Sequence, residues 1–206
     1  MKPSKIIRPF PPREGPTFQP APEVRDWVAS TILAEEHKLY NPEQAHLRHA
    51  DIAFLWARMD YTRQLRRIVG LCEEVTFRCG AWQKGRQEQQ MEEWFGRVPE
   101  FVITIHAGYA HVCSDRDFCA LIEHELFHIA HARDMFGAPR FRKDTGRPVL
   151  CIRGHDVEEF VGVVKRYGTG APDGSVAELV RAANSRPEVG AATIAQSCGT
   201  CLLKAA

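Results

Sequence analysis

Ala120-Leu121-Ile122-Glu123-His124-Glu125-Leu126-Phe127-His128 lies in a stretch without proline or glycine that begins at Ser114 and runs to about Arg133. Ser114 followed three residues later by Asp117 resembles a capping box, so the spacing predicts a central helix from Ser114 to about Arg133. Residues four apart on a helix share a face. Phe118, Ile122, Leu126 and Ile129 then form one apolar stripe, while His124 and His128 stand together on another face. This is the H-E-x-x-H pattern. Two imidazoles one turn apart can hold a tetrahedral zinc, and the intervening Glu125 falls beside a zinc-activated water, where a general base is needed. The alternative, two histidines that simply pack into a core, fits poorly with their separation from the apolar stripe.

A catalytic zinc takes three protein ligands and keeps one position open, so a third donor must come from elsewhere. His131 is seven residues beyond His124, about 10 Å along a helix axis, too far to share an ion with both. Downstream, Gly154-His155-Asp156-Val157-Glu158-Glu159-Phe160 places a histidine after a glycine hinge and before a short helix, Asp156 to about Tyr167. His155 is the first choice for the third ligand. Glu158 is the second and Glu159 the third, and whichever does not ligate can orient an imidazole through its other N–H. Tyr109, His111 and Tyr167 are candidates for stabilising a developing oxyanion.

Outward from the motif, the 206 residues carry 44% hydrophobic and 26% charged residues and a net charge of +1. These values exclude disordered and fibrous classes and give no global electrostatic footprint for nucleic acid. No apolar run reaches the roughly 18 residues needed to span a bilayer, and Met1–Pro20 lacks the apolar core of a secretory signal. The expectation is a cytoplasmic chain, with its seven cysteines as reduced thiols and no membrane partner. Cys198-Gly-Thr-Cys201 has no second Cys-x-x-Cys to complete a zinc knuckle.

Six prolines in the first 20 residues make residues 1–22 an extended or disordered arm. Val24, Trp27, Val28, Ile32 and Leu33 recur at helical spacing, which predicts a helix over Glu23–Leu39. Asp51–Arg58 reads as strand or helix, and Ile68–Phe77 leans to strand. Phe101–His106 is the clearest strand, and its position just before the central helix suggests an edge strand that pairs with extended substrate. A further helix is expected over Ser175–Asn184. The organisation is then an arm (1–22), a principal domain (23–170) and a helical extension (171–206).

The pairing of Ala120-Leu-Ile-Glu-His-Glu-Leu-Phe-His128 with His155-Asp-Val-Glu-Glu-Phe160, behind a strand such as Phe101–His106, resembles the putative phage metallopeptidase family. That family is similar in turn to the SprT-like zincins, whose third ligand is a histidine opening a helix. The likeness covers roughly residues 45–168. It implies an α+β, minimal zincin-like fold, a small antiparallel sheet packed on the metal-binding helix. It also implies one catalytic zinc on His124, His128 and His155, with Glu125 as catalytic carboxylate, in a phage- or prophage-derived peptidase acting on protein or peptide. The gap between His128 and His155 is longer than in SprT-like members, and one extra residue precedes Glu159-Phe160. SprT-like proteins commonly act on DNA-associated proteins, which marks the basic loop Arg133–Arg147 as a place for weak DNA contact. A zinc-bound, non-catalytic protein that occupies a host protein or DNA is the alternative.

Overall fold

Pro22 in the first turn and Val24, Trp27 and Val28 on one buried face produce a helix that ends at Ser30, well before the expected Leu39. The Thr31 hydroxyl turns back to donate to the Trp27 carbonyl at 2.6 Å, and the chain leaves the helical path there. The computed structural model describes residues 7–63, 65–157 and 161–192. In chain order the elements are β1 (Phe18–Pro20), α1 (Pro22–Ser30), a 3₁₀ turn (Pro42–Leu47), β2 (Ile52–Ala57), β3 (Tyr61–Arg63), β4 (Arg66–Ile68), β5 (Gly70–Glu74), α2 (Ala81–Phe95), β6 (Phe101–His106), α3 (Ala107–Val112), α4 (Asp115–Phe127), β7 (Ile129–His131), β8 (Leu150–Ile152), α5 (Val161–Tyr167) and α6 (Ser175–Asn184). This is an α+β fold.

Four strands form the main sheet in the order β1-β2-β6-β5. β2 and β6 run parallel in the register Ile52↔Phe101 to Ala57↔His106, and both outer pairings are antiparallel. The sheet is therefore mixed: β5 carries the chain back antiparallel, so β6 starts again at the end where β2 began and runs parallel to it. Phe101–His106 is interior, buried between β2 and β5, and so cannot be the substrate-pairing edge that its position in the sequence suggests. β5 is the terminal strand on that side.

Side chains of a strand alternate between faces, and both faces of this sheet are covered. Ile52, Phe54, Trp56, Ile103 and Ile105 pack with α1 and with Phe118, Leu121, Ile122 and Leu126 of α4. Ala53, Leu55 and Val102 face Met91, Trp94 and Phe95 of α2. The proline-rich arm is tied down from Arg8 onward. The Arg8 guanidinium is buried, donates to Asp115 and to the Ala110 and Cys113 carbonyls, and lies over the Phe10 and Phe118 rings. β1 then joins the sheet beside β2, so this part is extended yet held by the domain. No helix among the described residues is long and apolar enough to cross a membrane.

Candidate metal centre

Ser114 caps α4 as the capping-box spacing predicts, accepting from the Asp117 N–H at 3.1 Å. The other end differs from expectation. The helix stops at Phe127, with His128 as its C-cap, and Ile129–His131 leaves as β7 to pair with Leu150–Ile152 of β8. That pairing takes the backbone hydrogen bonds that further helical turns would have made. It also delivers the chain after β8 to the end of α4, where His155 follows.

Three imidazoles converge at this junction. His124 Nε2 stands 3.3 Å from His128 Nε2 and 3.2 Å from His155 Nε2. One ligand atom from each ring lies within 4.8 Å of the others. His128 is buried, His124 half-buried and His155 exposed, so the cluster has one solvent-facing side. Burial, reinforced by the rings of His128 and His155, pushes the His124 pKa down to about 4; its imidazole is neutral at pH 7, the form that binds metal.

Arg153, unmarked by any motif, ties the junction together. Its carbonyl accepts from His128 Nδ1 at 2.9 Å, which places the ring proton on Nδ1 and directs Nε2 towards His124. Its backbone N–H donates to the His128 carbonyl, its Nε to the Phe127 carbonyl at 2.7 Å, and its Nη1 to Asp156 at 2.7 Å. One residue thus caps α4, orients a histidine and fixes the approach to His155. In Arg153→Ala the backbone contacts stay but the guanidinium clamp is lost. Metal affinity is expected to fall by less than the roughly 10–100-fold that loss of a ligand's own hydrogen-bond partner costs, because that partner, the Arg153 carbonyl, stays; competition with a chromophoric chelator measures it.

On the opposite side, Asn41 donates to the Glu123 carboxylate at 2.9 Å and Gln44 to its carbonyl at 3.1 Å, docking the 3₁₀ turn on α4. A cavity of about 640 Å³ opens in front of the histidines, walled by Phe127, Val157 and the Leu179 and Ala182 face of α6. Glu125 is fully buried, on the side of α4 that meets β5. A Cβ at Gly70 would lie 2.4 Å from its Oε1.

The remaining candidates separate clearly. His131 lies on β7, with Nε2 on the Arg140 carbonyl and its ring against Phe141. Tyr109 packs near Arg8, Cys113 and Asp117 at the N-terminal end of α4, where burial above all pushes its pKa up to about 12. His111 is exposed on α3, and Tyr167 is exposed on α5 beside Arg166. None of Tyr109, His111 and Tyr167 lines the cavity. Glu158, Glu159, Cys198 and Cys201 lie outside the described residues.

A family model described as a putative phage metallopeptidase matches residues 25–184, a span that includes all three histidines, Glu125 and Arg153. The chain belongs to that family. Membership of a metallopeptidase family carries the expectation of a bound metal ion and of protein or peptide substrates, and the histidine cluster is the group that can hold the ion. No curated protein and no solved structure matches the chain. The matched span runs through α6, so the helix that walls the cavity is part of the family domain.

Proposed function

We propose that the protein is a zinc-dependent metallopeptidase with a minimal zincin-like fold, related to the SprT-like zincins, phage- or prophage-derived and working inside the cell. The carrying observation is the spacing of the imidazole nitrogens. Two nitrogens about 2.0–2.1 Å from one tetrahedral ion stand roughly 3.3 Å apart, and His124 Nε2 is 3.3 and 3.2 Å from its two neighbours. The donor set, three imidazoles with an open side, is that of a catalytic rather than a structural zinc.

A bound zinc supplies Lewis acidity, which makes water nucleophilic near neutral pH and polarises a peptide carbonyl. The protein's own part is positional. His124, His128 and His155 hold the ion, and Arg153 sets the tautomer of His128. Glu125 accepts the proton of the attacking water and hands it to the leaving amine. Substrate alignment falls to β5. The bonds from the His106 N–H to the Val69 carbonyl and from the Val75 N–H to the Glu100 carbonyl assign the odd-numbered residues to β6. The peptide groups of Gly70 and Glu74 thus face the outer edge, where an extended peptide can add a strand. Phosphate contact through the exposed Arg140, Lys143 and Arg147 belongs to the same reading, Arg142 being paired with Glu100.

The test is hydrolysis of an unfolded protein substrate by zinc-loaded chain. Activity is expected to vanish with a chelator and to return with added zinc. Stoichiometric zinc with no cleavage of any offered substrate would instead favour the alternative, a non-catalytic zinc protein that occupies a host protein or DNA.

A further inference from the structure

Glycine costs a strand stability, since it loses more backbone freedom than other residues and offers no side chain to pack. Gly70, the first residue of β5, needs a reason. Its φ is not among the positive ones, so backbone conformation does not require glycine. Space does. Side chains at positions 70 and 72 point to α4, and at position 70 the strand meets Leu121 and Glu125, neighbours one turn apart on the helix. A Cβ there would stand 2.4 Å from Glu125 Oε1 and 2.6 Å from Leu121 Cδ1, closer than real contacts allow, and a tight 3.0 Å from Glu125 Cδ.

We propose that Gly70 is a positioning residue for Glu125: the missing side chain forms the slot in which the carboxylate rests, and thereby fixes the proton acceptor relative to the histidines on the same helix. This rests on the proton-accepting role proposed for Glu125. The slot belongs to the edge strand assigned to substrate, so one backbone position sets both the carboxylate and the start of the substrate track. None of the three ligand nitrogens is among the atoms nearest a Cβ at Gly70, and Gly70 does not line the cavity at the histidines, so metal binding is separable from the slot.

The experiment compares wild type, Gly70→Ala, Glu125→Ala, the Gly70→Ala/Glu125→Ala double variant and Glu125→Gln for zinc content, thermal unfolding of the metal-free chain, and steady-state kinetics. Gly70→Ala is expected to keep one zinc per chain and a KM within about twofold, while kcat falls about 10²-fold, the cost of roughly 1 Å of misplacement. Its loss in Tm should shrink when Glu125 is also alanine, because the colliding carboxylate is gone. If Gly70→Ala fails to fold, the double variant should fold with the smaller penalty left by Leu121 Cδ1, which still stands 2.6 Å from the new Cβ. An unchanged kcat in Gly70→Ala, or an equal thermal penalty with and without the Glu125 carboxylate, overturns the inference. Turnover retained by Glu125→Gln sinks the proposed function instead, whereas turnover lost there but retained in Gly70→Ala sinks this inference alone.

Discussion

Glu125→Gln is expected to bind zinc like wild type and to lose peptide hydrolysis, with kcat down by about 10²–10⁴-fold, the usual contribution of a positioned general base. The substitution keeps the shape of a side chain that is fully buried between α4 and β5, while the amide can no longer take a proton. The ligands are untouched, since the three imidazoles come from His124, His128 and His155. A drop in kcat without loss of metal therefore separates proton transfer from metal binding. Metal content and single-turnover cleavage on the same preparation measure both.

His128→Ala is expected to abolish stoichiometric zinc binding and, with it, activity. His128 is the most buried of the three imidazoles, 2% exposed, and among the described residues the only one of them whose second nitrogen meets a backbone carbonyl, that of Arg153. Alanine removes a donor and also strips that carbonyl of its partner, at about 1–3 kcal/mol if it stays buried. The fall in affinity should exceed the one expected for Arg153→Ala, which leaves all three donors in place. Equilibrium dialysis against zinc orders the two variants. His155→Ala, at the exposed corner of the cluster, should weaken binding with less damage to folding than His128→Ala.

Local pattern made the candidate pair His124 and His128 legible, because H-E-x-x-H spacing and a separate apolar stripe are both consequences of helical periodicity. His155 was legible for a different reason, a histidine after a glycine at the mouth of a turn. The length of α4 was not. Nothing between Ser114 and Arg133 breaks a helix by propensity, and only the pairing of Ile129–His131 with Leu150–Ile152 ends it at Phe127. Strand order was hidden in the same way: Phe101–His106 reads as a strand, but its interior place depends on a parallel partner some fifty residues earlier. The α2 segment, Ala81–Phe95, carries no buried residue under its polar surface pattern and gave the sequence little periodicity to read. Arg153 and Gly70 matter through contacts 26 and 55 residues away along the chain, which no local signal encodes. The oxyanion candidates were chosen by proximity in sequence, and the fold sends Tyr109 to the far end of the helix.

Everything proposed here depends on one zinc held by three imidazoles. X-ray absorption at the zinc edge, with elemental analysis of the same purified full-length chain, examines that directly. The account predicts one zinc per chain with three histidine nitrogens at about 2.0–2.1 Å and one light oxygen scatterer. A chain that takes up no zinc, or a spectrum dominated by sulfur at about 2.3 Å, contradicts it.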